Sequence, residues 1–229
     1  MRQVILDTET TGLSFKDGHR VIEIGCLEMI SRRLTGKVFH TYLNPGREID
    51  TGAMRVHGIT NAFVQNQPKF EAIEQEFKDF INGAELVIHN APFDVGFLDN
   101  EFIVTKNEWK TLTQYCTILD TLSMARKMHP GQKNNLDALC KRYSINNMHR
   151  TLHGALLDSE ILAELYLAMT GGQTVFDLAL ESAGTTELEV TIDYSQLPII
   201  KASQIELKAH QQFLITQLKK GVTQTEVVS

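Results

Sequence analysis

Apolar and polar positions along the chain switch between a period near two and a period near three and a half. Val4-Ile5-Leu6 is a short β-forming run that leads into the polar stretch Asp7-Thr8-Glu9-Thr10-Thr11-Gly12. It predicts a strand that starts buried and ends in a tight turn, with Gly12 allowing close backbone approach. Phe15 to Arg20 is polar and reads as a loop. Val21 to Ile30 is β-rich and partly alternating, and Lys37 to Leu43 returns after a turn over Ser31 to Gly36. Three successive strands with short connections predict an antiparallel meander. Residues 50–63 show no period and predict an irregular segment. Phe70, Ile73, Phe77 and Phe80/Ile81 then fall at helical spacing, and Gly83 closes that helix.

Leu86-Val87-Ile88 is continuously apolar, the pattern of a strand covered on both faces. Asn90 is placed to cap a helix that has Pro92 in its first turn. Asp94 then lies near a helix N-terminus beside the carboxyl end of a strand, where open α/β sheets bind ligands. Tyr115 to Asp120 predicts another strand, and helices are expected over Thr121 to Met128, Leu136 to Tyr143 (capped by Asn135) and Ala155 to Met169. The fold class is α/β, a mixed sheet flanked by helices.

Beyond Gly171-Gly172 the character changes. Residues 179–195 hold Glu181, Glu187, Glu189 and Asp193 with no Lys or Arg, so 179–196 reads as an acidic linker. In 197–229, Leu197-Pro198-Ile199-Ile200 is an apolar knob, and Ser203-Gln204-Ile205-Glu206 is a capping box for a helix bearing Phe213, Leu214 and Leu218. A lone amphipathic helix past a linker implies a partner.

The net charge is −6 over 229 residues, which argues against coating nucleic acid by bulk electrostatics. Residues 126–150 run the other way, with six Lys/Arg against Asp137, a distribution suited to phosphate contact. Cys26, Cys116 and Cys140 are odd in number and widely spaced, which suggests reduced thiols rather than a disulfide frame. No leader-like opening and no long apolar run are present, so a soluble, cytoplasmic protein is expected.

The candidate chemistry begins at Asp7 and Glu9, which a strand projects from one face. Two carboxylates about 4 Å apart repel by roughly 4 kcal/mol at an effective dielectric of about 20. A proton or a cation must relieve that, and hard divalent ions favour oxygen ligands. Further carboxylates occur in Asn90-Ala91-Pro92-Phe93-Asp94 and in His153-Gly154-Ala155-Leu156-Leu157-Asp158. On a continuous helix His153 and Asp158 would point about 140° apart. If Gly154 ends a loop and the helix starts near Ala155, the two converge.

This ordered triple resembles the DEDD superfamily of 3′→5′ exonucleases, in the subgroup whose last motif carries His. Within it, Leu6 to Gly12, Val56-His57-Gly58-Ile59-Thr60, Leu152 to Asp158 and Ala168 to Thr174 resemble the proofreading subunits of bacterial replicative DNA polymerases. Ser159, where Ala is commoner, and Gly52, in place of an acid, depart from the pattern. The resemblance implies a ribonuclease H-like exonuclease domain over 1–178 and a polymerase-docking tail over 197–229. It implies two divalent cations, Mg²⁺ or Mn²⁺, held by Asp7, Glu9 and Asp158, with Asp94 serving the second and His153 as general base. Thr10, Thr11, Gly12, Val56, His57, Asn90 and Phe93 are then expected beside the 3′ end, together with Asp7, Glu9 and Asp158. The product implied is a 5′-nucleoside monophosphate. Gln173-Thr174-Val175-Phe176-Asp177-Leu178 resembles peptides that bind sliding clamps, anchored by Gln173, Phe176 and Leu178. The expected partners are a DNA 3′ end, a polymerase catalytic subunit and a clamp. An RNA-trimming exonuclease on the same fold, and a mainly structural replisome-bridging subunit, are the alternatives.

Overall fold

The computed structural model describes residues 1–105, 111–147, 152–171, 206, 208 and 210–213. Contacts divide the chain into Met1–Glu181 and Ser182–Ser229. In the second unit, residues 206, 208 and 210–213 are helical and exposed, within the helix expected there. Gln173, Phe176, Leu178, the linker and most of the tail lie outside the described residues.

The first unit runs β1 (Arg2–Thr10), β2 (Val21–Ile30), β3 (Arg33–Tyr42), α1 (Thr51–His57), α2 (Asn61–Val64), α3 (Phe70–Ile81), β4 (Glu85–Ile88), α4 (Ala91–Val104), β5 (Thr117–Asp120), α5 (Thr121–Met128), α6 (Leu136–Tyr143) and α7 (Ala155–Thr170). The five-stranded sheet has the order β3-β2-β1-β4-β5. β1, β2 and β3 pair antiparallel, as the meander predicts, and β4 pairs parallel to both β1 and β5. Alternation along β1 sorts its side chains between two layers. Val4 and Leu6 join Phe70, Phe77, Phe97 and Phe102 on the α3/α4 side. Ile5 joins Leu139, Leu162, Leu165 and Tyr166 on the α6/α7 side. Phe77, Phe97 and Phe102 are fully buried, and truncating any one to Ala costs about 3–5 kcal/mol.

Several boundaries differ from the sequence expectation. The β2–β3 turn is only Ser31 and Arg32, both at positive φ (49° and 64°), which the period of the strands alone does not reveal. Residues 50–63 are not irregular: they contain α1 and α2. Neither helix is long enough to hold itself. A small core of Ile22, Ile49, Ile59 and Val64, with Ala53 and Met54 against it, supplies the stability. Asn90 occupies the N-cap position of α4, but at φ 71° and without a side-chain cap bond. Asp120, at the end of β5, does that work instead. Its Oδ1 accepts from the N–H groups of Asn90 (3.1 Å) and Ala91 (3.4 Å) and from Leu122 N (3.0 Å). One carboxylate thus caps α5 and secures the turn into α4.

Candidate active site

The carboxylates converge because α7 lands directly on the sheet. Antiparallel pairing sets Asp7 opposite Gly25 and Glu9 opposite Glu23, so all four positions share the α7 face. Gly25 has no side chain there, and a Cβ would collide with the backbone of Ala155 and Leu156. The first turn of α7 therefore sits against the strand, and Ser159 Oγ fixes it by donating to the Gly25 carbonyl at 2.9 Å. That bond gives the Ser159 departure a structural reason. Asp158, in that turn and nearly fully buried, is delivered beside Glu9, in the cleft that Asp7 also lines. Gly154 is the extended N-cap residue of α7, so His153 precedes the helix and the angular conflict disappears.

Glu9, His153 and Asp158 present ligand atoms all within 4.8 Å of one another, a group able to hold a metal ion. His153 Nδ1 stands 3.4 Å from Asp158 Oδ2, and the side chain is 43% exposed. Asp94 arrives from α4, on the other layer, and reaches the same cleft at the carboxyl ends of β1 and β4. Thr8 ties it there by donating to Asp94 Oδ1 at 2.7 Å.

The cleft has a volume of about 630 Å³ and is lined by Asp7, Glu9, Asp94, Asp137 and Asp158, with Arg126 the one Arg or Lys among its lining residues. Five carboxylates against one guanidinium would repel a phosphodiester. A divalent cation set fits this donor group and removes that conflict. This donor set is the one that the resemblance to 3′→5′ exonucleases implies for divalent cations.

Burial pushes the Asp94 carboxyl up to about 7, against the opposing effect of the Thr8 hydrogen bond. An unfolded Asp titrates near 3.9, so the folded, metal-free chain retains a proton that the unfolded chain has released. The sign follows: as pH rises from about 4 to 7, the buried group costs stability, and above about 7 the cost levels off. Asp94→Asn removes it. In a chelator, the Tm of Asp94→Asn minus that of wild type should grow over this range and then hold constant. A gap that is flat or shrinks with pH would contradict the assignment.

A second pocket of about 770 Å³ adjoins the first and shares Thr8, Glu9 and Phe93 with it. Thr10, Gly12, Gly52, Val56 and His57 line it, whereas Asn90 lines the carboxylate cleft. Thr11 is the exception among the expected substrate contacts. It is fully buried and lines neither pocket, and its Oγ1 accepts from Arg20 N at 3.0 Å and meets His19 Nδ1 at 3.0 Å. It braces the pocket wall instead. Phe93 packs at 4.9 Å on Phe97 in the core while also lining both pockets.

His57 is not a loop residue but the buried last residue of α1. Its Nδ1 accepts from Ile59 N at 3.0 Å, which leaves the proton of the neutral ring on Nε2. Burial holds its pKa below the ordinary histidine range, despite the nearby Thr10 carbonyl.

His89 was not singled out by any motif. It lines the carboxylate cleft, and its Nδ1 lies 2.9 Å from Thr121 Oγ1, which itself donates to the Ile88 carbonyl. Nδ1 must then be the donor, and burial lowers this pKa also. Gln132 and Asn134 line the cleft beside Arg126. Asn134 Nδ2 donates to the carbonyls of His129 and Gln132, holding that wall rigid.

A five-stranded mixed sheet with a carboxylate cluster where β1, α4 and α7 meet defines an enzyme of the ribonuclease H-like nuclease class. The chain belongs to the exonuclease (RNase_T) family, whose model matches residues 4–166. It is 50% identical over 230 residues to the DNA polymerase III subunit epsilon of Salmonella typhimurium LT2, covering 96% of this chain and 95% of that one. The Escherichia coli K12 protein of that name is 49% identical over the same shares, and the Haemophilus influenzae one 48%, with 92% of its length covered. Among solved structures, exonuclease X in complex with 5′ overhanging duplex DNA matches with a TM-score of 0.57 at 28% identity, over 74% of this chain and 92% of that one. E. coli exonuclease I in complex with a dA16 oligonucleotide matches with a TM-score of 0.65 at 16% identity, a likeness of fold. It covers 78% of this chain and 43% of that one. The chain is therefore a nuclease, a hydrolase of the 3′→5′ exonuclease kind. Among the described residues, no helix is long and apolar enough to cross a membrane.

Proposed function

We propose that the chain is the cytoplasmic proofreading exonuclease of a replicative DNA polymerase, removing 5′-deoxynucleoside monophosphates one at a time from a DNA 3′ end. The observation that carries this reading is the pair of adjoining pockets. One is a carboxylate cleft suited to cations and the scissile phosphate, and the other is large enough for one nucleotide. Similarity to epsilon subunits along 96% of the chain supports the polymerase context.

In this reading Asp7, Glu9 and Asp158 would hold one divalent cation, and Asp7 and Asp94 would serve a second. Two divalent cations, Mg²⁺ or Mn²⁺, would neutralise the carboxylates, polarise the phosphodiester and acidify the attacking water. His153 takes the proton of that water. With Nδ1 turned to Asp158, Nε2 is the atom left to accept it. Thr10, Gly12, Val56, His57 and Phe93 enclose the terminal nucleoside, Thr11 braces them, and Asn90 lies on the cleft side. Arg126 is placed to meet a backbone phosphate.

Substrate preference tests the reading. With single-stranded DNA and RNA of one sequence, kcat/KM should favour DNA, and a preference for RNA would support the RNA-trimming alternative instead. The tail carries the second contact. Deleting residues 190–229 should abolish binding to the polymerase catalytic subunit while leaving hydrolysis intact. Replacing Gln173 and Phe176 by Ala should weaken clamp binding alone. The acidic linker then acts as a tether that raises the effective concentration of each weak contact. A truncated protein that still binds polymerase tightly in a pull-down would rule the docking role out.

A further inference from the structure

The loop that carries His153 is gripped by the same short stretch that walls the nucleotide pocket. The His153 backbone N–H donates to the Val56 carbonyl at 3.1 Å. One residue earlier, the Leu152 side chain lies against Gly58, the residue that ends α1 at φ 74°. A Cβ on Gly58 would stand 2.5 Å from Leu152 Cδ1, so leucine fills the space that glycine leaves. Val56 and His57 line the nucleotide pocket, His57 lying between these two grips. His57 and His153 are close enough that a charge on His153 disfavours one on His57. The His153 ring, by contrast, is 43% exposed and is not wedged in place by a core.

We propose that the Val56–Gly58 turn is the positioning element of His153, so that a 3′-terminal nucleotide seated against Val56 and His57 is read out at the general base. This rests on the assignment of His153 as the base. The physical argument is that one short turn has two loaded sides. A nucleotide on its pocket side fixes the turn, and the turn then fixes the loop through one backbone hydrogen bond and one apolar contact. An empty pocket leaves the turn freer, and the His153 backbone shifts with it, drawing the ring away from its contact with Asp158. Displacing a catalytic group by about 1 Å costs on the order of 10²-fold. The loss falls on kcat, because the carboxylates that gather the cations and the phosphate are held separately by β1 and α7.

The test compares wild type, Leu152→Ala and Leu152→Met on single-stranded DNA ending in thymidine or in an abasic tetrahydrofuran residue. Leu152→Ala should lower kcat by about 10- to 100-fold with KM within about twofold, at unchanged Tm and with an unshifted pH profile. Leu152→Met, which still fills the space over Gly58, should recover most of the rate. The abasic end should slow wild-type kcat by a larger factor than it slows that of Leu152→Ala. Gly58→Ala should reduce kcat likewise, and the double variant should be no worse than the poorer single, since both act on one contact. Wild-type kcat in Leu152→Ala, a defect confined to KM, or full wild-type kcat on the abasic end would each overturn the proposal. His153→Ala is run alongside. If it loses activity while Leu152→Ala does not, the coupling alone is wrong; if it keeps full activity, the assignment of the base fails first.

Discussion

Asp7→Asn, and separately Glu9→Gln, should lower hydrolysis of single-stranded DNA by about 10³-fold or more in saturating Mg²⁺, with folding intact or improved. Metal charge supplies several kcal/mol of transition-state stabilisation, and each 1.36 kcal/mol is a factor of ten. Both substitutions delete a carboxylate oxygen proposed to hold a cation, with almost no change of shape. Both also relieve repulsion on a strand face that is already crowded, since Asp158 stands beside Glu9 and the buried Glu23 pairs directly across from it. Glu23 is itself tied to His40 Nε2 at 2.8 Å, so it does not need the cation. A raised Tm in chelator together with lost activity would separate a functional carboxylate from a structural one. Near-normal hydrolysis in either variant would remove the carboxylates from the mechanism.

His153→Ala should lose roughly 10²–10⁴-fold in kcat at neutral pH and recover part of it as hydroxide rises. Wild-type rate should rise with pH as His153 loses its proton and becomes able to accept one. The geometry suits a base that works at the mouth of the cleft: a ring 43% exposed, braced on Nδ1 by Asp158. Asp158→Asn should therefore cost more than the loss of its proposed cation contact, because it also weakens the hold on the ring. An alanine variant with the wild-type rate and pH profile would reduce His153 to a bystander.

What could be read from the sequence was what depends on a local period. Alternation along β1 was enough to put Asp7 and Glu9 on one face, and the break at Gly154 was enough to bring His153 and Asp158 together. The meander, the doubly covered β4 and the α7 helix follow from the same patterns. What could not be read depends on contacts distant in the chain. Gly25 resembles any strand glycine until α7 is placed on it, and only then does it explain why the carboxylates meet. Asp120 ends one strand and secures a turn 30 residues earlier, a task the sequence pattern handed to Asn90. Thr8 points away from its own carboxylate neighbours, yet it holds Asp94. No pattern marks α1 and α2, because their stability comes from a small core that includes Ile22 on β2 rather than from length, with Thr60 Oγ1 capping α2. Thr11 belongs to the motif but is turned inward. His89 belongs to no quoted motif, yet its ring borders the cleft.

The central claim is that this cleft cuts DNA from the 3′ end with divalent cations. It is tested most directly by digesting a 5′-labelled single-stranded oligonucleotide with the purified chain in Mg²⁺ and identifying every product. The account predicts a ladder shortening one nucleotide at a time, release of 5′-deoxynucleoside monophosphates, and complete arrest by chelator. Internal cuts, 3′-monophosphate products or hydrolysis that persists in chelator would contradict it.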